Sequence, residues 1–266
     1  MAALLKEVTL YYKKLEEIAD PRVEKWPLMS SPLPVLILII IYQYFFRSLG
    51  PKIMENRPPI NVKNAMIIYN VFQILLSGWF VEESLRTVWL PGKYNILNQP
   101  VDYSDEPFPV YVAFVCYIFF LSKILDLLDT VFMILRKKTN QQSFLHTYHH
   151  SIMVLVIWLG VKFMAGGNSV IFGTINAFVH TVMYSYYLLT LIRPEYKKSV
   201  WWKRHLTELQ LVQFVITMTL GVIYVLQNND YKTRLLGFVM IPQDAFFLVL
   251  FWDFYKKTYL SKNKRV

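Results

Sequence analysis

Residues 170–192 read VIFGTINAFVHTVMYSYYLLTLI, with no Asp, Glu, Lys or Arg among them. A helix crossing a bilayer needs about 20 mostly apolar residues. This stretch meets that length, so it predicts a membrane-spanning helix. Its polar side chains are not scattered. Asn176, His180, Met183, Tyr184 and Tyr187 follow the i, i+4, i+7, i+8, i+11 spacing, which is one stripe of one helix. A lone histidine on an apolar face is usually a satisfied core residue. Here Asn176 lies one turn below His180 and Tyr184 one turn above, so the stripe points to function.

Six further apolar runs flank this one, at Leu33–Phe46, Asn64–Val81, Pro109–Leu121, Ser151–Phe163, Leu209–Leu226 and Leu236–Tyr255. Ser151–Phe163 is short and is expected to extend backward through residues 146–150. Pro109–Leu121 must continue to about Leu135, which places Lys123, Asp126 and Asp129 at membrane depth. Gly50-Pro51 and Arg57-Pro58-Pro59 punctuate the chain between runs. The composition agrees: 266 residues, 55% hydrophobic and 17% charged, outside the range of ordinary soluble domains. No polar face accompanies the runs, which argues against a soluble helical core. A single cysteine, Cys116, excludes a disulfide scaffold. The expected fold is an all-α polytopic membrane protein with seven transmembrane helices in one domain. Residues 1–32 form an N-terminal segment, 33–255 the bundle and 256–266 a basic tail. Met1–Asp20 has the pattern of an amphipathic surface helix, and no cleavable signal is evident.

The net charge of +10 is unevenly placed. Loops 47–63, 136–150, 193–205 and the tail carry 17 of the 28 Lys and Arg; the opposite side carries 10, and Lys123 lies inside a span. The positive-inside rule puts the side with 17 in the cytosol. The N-terminus is then lumenal and the C-terminus cytosolic. Lys262 and Lys264, at −5 and −3 from the end, resemble the dilysine retrieval signal of the endoplasmic reticulum. Nothing points to nucleic acid.

Ionisable residues inside a membrane are costly and mark functional sites by default. Lys123-x-x-Asp126-x-x-Asp129-Thr130 puts three charges along one side of a helix, drifting by about 60° per step. They form either a self-neutralising ion pair or a device that orients a histidine and handles protons. His146-Thr147-Tyr148-His149-His150 holds three of the five histidines of the chain. Neutral imidazole ligates metals, abstracts protons or attacks a thioester. Gln210 and Gln213 enter a span together after His205 and Thr207, and need partners there. Arg136, Lys137, Lys138, Lys197, Lys198, Lys203 and Arg204 offer a cradle to a polyanion or to anionic lipid heads. A di-iron desaturase or hydroxylase is the main alternative, but it would have to recruit Asp126 and Asp129 as ligands, so no metal is expected. Cys116 has no basic neighbour in sequence to activate it.

These motifs resemble the ELO family, the elongases of very-long-chain fatty acids. The resemblance rests on Ser122-Lys123 through Asp129-Thr130, Leu135-Arg136-Lys137-Lys138, Phe144-Leu145-His146-x-x-His149-His150, the Asn176–Tyr187 stripe, Trp201-Trp202-Lys203 and Thr207-x-x-Gln210-x-x-Gln213-Phe214, in the family's order over about residues 26–260. One departure is Asp126, where the family usually has Glu. Gln141 resembles members acting on long, very-long or polyunsaturated chains. The resemblance implies a seven-span enzyme of the endoplasmic reticulum, with six spans around an acyl-chain slot. It condenses a long-chain acyl-CoA with malonyl-CoA to 3-ketoacyl-CoA, CO2 and CoA, without a further cofactor. The expected partners are the bilayer, the ketoacyl-CoA reductase, the dehydratase and the enoyl-CoA reductase of the cycle, with homodimerisation plausible.

Within that implied chemistry His149 is the expected nucleophile, with His146 and His150 beside it. His180 and Asn176 polarise carbonyls, Asp129 fixes an imidazole tautomer, and Asp126 supports. Lys123, Tyr184, Tyr187, Thr207, Gln210 and Gln213, with Arg136, Lys137, Lys138 and Lys203, are the expected substrate-binding residues.

Overall fold

The computed structural model describes residue 7 and residues 15–138 and 143–260. The readings for most of Met1–Asp20, for Gln141 and for the Lys262–Val266 tail lie outside the described residues. Among the described residues seven helices are long and apolar enough to cross a membrane: α1 (Leu33–Met54), α2 (Lys63–Trp89), α3 (Pro107–Leu135), α4 (Phe144–Met164), α5 (Ser169–Ile192), α6 (Val200–Gln227) and α7 (Tyr231–Leu260). The described residues contain no strand.

Most helices outrun the apolar runs, because long side chains let a helix continue past the hydrocarbon edge. Two expectations change as a result. Gly50-Pro51 lies within α1 and does not end it. Residues Phe45–Leu49 wind as a π turn, with Gly50 N–H bonded to the carbonyl five residues back, and this wider turn absorbs the proline that lacks a donor. His205, expected in a basic loop, stands on α6 together with Lys203 and Arg204.

Within α3 the winding changes at the charged residues. α-helix runs over Pro107–Leu125 and again over Leu128–Leu135. Between them Leu127, Asp129 and Thr130 donate to carbonyls three residues back, at 3.2 Å each. Three residues per turn eclipses positions i and i+3. The 60° drift expected for Lys123, Asp126 and Asp129 is thereby reduced, and the three stay close to one line.

Helices α2 to α7 form a closed ring in the order α2, α3, α4, α7, α6, α5, returning to α2. α1 stands outside it, packed against α3 and α4. The ring turns its apolar side chains outward as well as inward: Ile68, Leu75, Leu226 and Phe238 are 67–81% exposed, as a lipid-facing surface requires.

The end of the bundle away from the histidines is tied by polar contacts. Buried Arg22 bonds Asp20 at 2.6 Å and the carbonyls of Asp102, Pro109 and Ala165 at 2.6–3.1 Å. Asn168, in the α4–α5 turn, bonds Gln99 and Ile96. Gly167 sits there at φ +55°, and a Cβ would lie 2.6 Å from Gln99 O. Gly167→Ala is expected to cost about 1–2 kcal/mol for the left-handed backbone alone, visible as a lowered Tm of the purified protein.

Candidate active site

The ring encloses a slot of about 1630 Å³, open mouth included. All six of its helices contribute, and α1 does not. Most of the wall is apolar, with Phe80, Val112, Phe119, Val156, Val161 and Met164 among its residues. Polar side chains line it at both ends: Ser84, Thr87, Asn168, Ser169 and Thr233 towards the end tied by Arg22 and Asn168, and a second set at the level of the histidines. His149 from α4, Asn176 from α5, Gln213 and Thr217 from α6, and Gln243 and Asp244 from α7 all face the space. Gln213 is buried and its Oε1 has no partner among the described residues, nor has Gln243 Nε2. Unpaired buried polar atoms are rare and call for a polar guest.

Against this level sits a buried network. Lys123 Nζ reaches Asp126 Oδ2 at 3.1 Å and Asn176 Oδ1 at 3.2 Å, and lies 4.7 Å from the Phe119 ring centre. Asp126 Oδ1 accepts from Gln73 Nε2 at 2.7 Å, while its Oδ2 stands 3.7 Å from His180 Nδ1. The Tyr184 hydroxyl lies 3.1 Å from Asp126 and 2.9 Å from Asp129. That hydroxyl has one proton, so it serves the two carboxylates in turn. Tyr69 stands 3.2 Å from Tyr184 through its own hydroxyl.

Half of the ion-pair alternative therefore holds: Lys123 pairs with Asp126, while Asp129 turns to Tyr184. Asp129 was expected on an imidazole. The carboxylate nearest a histidine is Asp126, and the side chain on His146 is Thr130, at 2.8 Å. His146 packs on His150 with ring centres 4.3 Å apart; His150 lies 5.4 Å from His149, which rests on Phe247 at 5.1 Å. Among the three adjacent histidines, His149 alone is in the slot wall.

The substrate-binding set divides. Lys123 and Tyr184 are engaged in the network, and Tyr187 packs edge-on against Tyr184. Gln213 faces the slot. Gln210 Nε2 instead meets Met183 Sδ at 3.9 Å, and Thr207 Oγ1 bonds its own helix at Lys203 O. The cradle also splits. Arg136 and Lys197 join Lys63 around a separate hollow of about 470 Å³. Lys137 Nζ bonds Glu55 O at 3.1 Å and Lys138 is exposed. Arg204 is held at 2.9 Å by Glu208, one turn further along α6, and the neighbouring Lys203 is exposed.

Sequence reasoning missed Tyr42, Tyr69, Gln73, Thr217, Gln243 and Asp244. A signal existed: Asn70, Gln73 and Ser77 form a polar stripe on α2, and a carboxyl at 244 inside an apolar run obeys the same rule that singled out Lys123.

Fold and site define a seven-helix membrane protein with a largely apolar slot beside buried histidines and carboxylates. The sequence profile of the ELO (GNS1/SUR4) family matches residues 27–266, and the chain belongs to that family. It is 42% identical to very long chain fatty acid elongase 7 of Rattus norvegicus, covering 99% of this chain and 93% of the relative. It is 37% identical to very long chain fatty acid elongase 1 of Mus musculus, over 98% and 94%. It is 39% identical to very long chain fatty acid elongase 4 of Homo sapiens, over 99% and 83%.

Proposed function

We propose that this protein condenses a long-chain acyl-CoA with malonyl-CoA to give 3-ketoacyl-CoA, CO2 and CoA. The observation that carries the reading is the placing of His149 in the wall of an apolar slot. An acyl chain in that slot is shielded from water while its thioester meets the imidazole.

The His149 ring nitrogen attacks the thioester carbon, the C–S bond breaks, and CoA leaves as the thiol after taking a proton. Malonyl-CoA then loses CO2. The electron pair of the broken C–C bond attacks the acyl carbon, a new C–C bond forms, and the imidazole departs with its pair. The balance closes with the two thioesters and one proton, so the chemistry asks for no cofactor. Asn176 and Gln243 offer amide donors at the level where oxyanions develop. Lys123 holds Asn176, and the Asp126 carboxylate faces His180 Nδ1 at 3.7 Å, beyond hydrogen-bond distance.

The di-iron alternative is weaker. Among the described residues no three His, Cys, Asp or Glu side chains converge as a metal site, and the family relatives are named as elongases. The charge count and the dilysine-like tail support an endoplasmic-reticulum enzyme with a lumenal N-terminus and a cytosolic C-terminus. The basic side chains of loops 47–63, 136–150 and 193–205 then face cytosolic CoA. The product needs two reductions and a dehydration, so a ketoacyl-CoA reductase, a dehydratase and an enoyl-CoA reductase are the partners; a homodimer is compatible with the exposed apolar side chains Ile37, Ile40 and Ile41 of α1.

Purified protein given acyl-CoA and labelled malonyl-CoA should yield labelled 3-ketoacyl-CoA. No product at any chain length would sink the proposal. The slot also sets a length. From His149 to Met164 along α4 is about 22 Å at 1.5 Å per residue. An extended alkyl chain advances about 1.25 Å per carbon from its bond length and angle, so the wall accommodates about 18 carbons. Gly160 lies in this wall with no atom within 4 Å of its would-be Cβ. Gly160→Leu should stop acyl chains longer than about 13 carbons while leaving shorter ones active. Unchanged chain-length preference in that variant would show that the acyl chain lies elsewhere.

A further inference from the structure

α1 stands outside the ring, yet one of its side chains reaches the histidine cluster. The Tyr42 hydroxyl lies 2.7 Å from Thr130 Oγ1, and Thr130 Oγ1 lies 2.8 Å from His146 Nε2. Three elements, α1, α3 and α4, thus meet in one chain of hydrogen bonds. Tyr42 is 6% exposed and Thr130 0%, so solvent offers neither a substitute partner.

Proton accounting decides the direction of this chain. Each hydroxyl has one proton to donate. In one arrangement Tyr42 donates to Thr130, Thr130 donates to His146, and Nε2 accepts through its lone pair. In the other, His146 donates from Nε2–H to Thr130 and Thr130 donates to Tyr42. The Tyr42 proton then has no acceptor, because Thr130 is its hydrogen-bond partner among the described residues. A buried donor without an acceptor is disfavoured. The first arrangement leaves no hydroxyl proton unused, and the Nδ1 that it protonates is not among the buried polar atoms lacking a partner. It requires that His146 be neutral, carry its proton on Nδ1, and have Nε2 occupied.

We propose that Tyr42 and Thr130 are positioning residues that lock His146 in the Nδ1–H tautomer and withdraw its Nε2 from chemistry. His146 then serves as a fixed plate for His150, whose ring centre lies 4.3 Å away, and His150 in turn backs His149 at 5.4 Å. The role of α1, which contributes nothing to the slot wall, is to hold this stack in register from outside. The tautomer follows from the hydrogen bonds alone; its consequence for turnover rests on the condensation reading.

The test uses the full chain in nanodiscs with 15N-labelled histidine. The His146 signals are identified by their loss in His146→Asn. Wild type should show a protonated Nδ1 and an unprotonated Nε2. Tyr42→Phe removes one hydroxyl and nothing else, and Thr130→Val keeps the shape; both should move His146 toward Nε2–H or a mixture. Thr130→Ser should restore the wild-type pattern. With acyl-CoA and malonyl-CoA, Tyr42→Phe and Thr130→Val should lower kcat by about 10-fold with KM unchanged, and Thr130→Ser should recover it. Nε2–H in the wild type, or a pattern indifferent to Tyr42→Phe, overturns the proposal. Should the tautomer respond as stated while no variant makes 3-ketoacyl-CoA, the condensation reading fails and the lock stands. Should product form while the tautomer does not respond, the lock alone fails.

Discussion

His149→Ala is expected to lower 3-ketoacyl-CoA formation by about 10³-fold or more. Protein exposed to acyl-CoA alone should gain the mass of one acyl group, and the variant should gain none. His149 is singled out by position: it shares the slot wall with Asn176 and Gln243, while His146 is bonded to Thr130. The other candidate in reach of the network is His180, 3.7 Å from Asp126. An acyl adduct that persists in His149→Ala and disappears in His180→Ala would transfer the nucleophile to α5. Retained turnover in both variants would remove covalent histidine catalysis altogether.

The second large effect concerns stability. Lys123 and Asp126 are 4% exposed each and 3.1 Å apart. Asp126→Ala leaves an ammonium buried with Asn176 and the Phe119 ring as its remaining partners. It also frees Gln73 Nε2 and part of the Tyr184 hydroxyl's bonding. Removing one partner of a buried pair costs about 3–5 kcal/mol. The single variant should therefore lose most of its folded yield. Lys123→Met with Asp126→Leu removes both charges, and replacing a buried pair by apolar residues is often neutral or stabilising. The double variant should recover most of the lost stability, short of the part due to Gln73 and Tyr184, yet remain inactive. Recovery of activity as well would reduce the pair to a structural tie and remove its proposed role in holding Asn176 and placing a carboxylate opposite His180.

The same pair shows how far the pattern of the chain carries. Spacing of three put Lys123, Asp126 and Asp129 on one side of a helix, and intramembrane charge marked them as functional. It did not give the 3₁₀ winding at Leu127–Thr130, because i+3 and i+4 hydrogen bonds compete locally and helix packing selects between them. Nor did it give the partners. That Asp129 meets Tyr184 while Thr130 meets His146 depends on the register of α3 against α5 and α4. Gly50-Pro51 failed for a related reason: a proline breaks an isolated helix, but a π turn packed against Ile134 accommodates it.

What the amino-acid sequence determined by itself is everything governed by the solvent. Apolar runs of spanning length, polar stripes within them and basic loops between them follow from transfer energies that act residue by residue, and they fixed seven spans and the histidine-rich level. The tertiary structure alone decided which six helices close the ring, that α1 stays outside it, and that His149 rather than His146 faces the slot. Those outcomes depend on side chains far apart in the chain meeting within hydrogen-bond distance. Lipid is as apolar as the helix faces it contacts, so association between spans is set by packing and polar complementarity, which hydropathy does not encode.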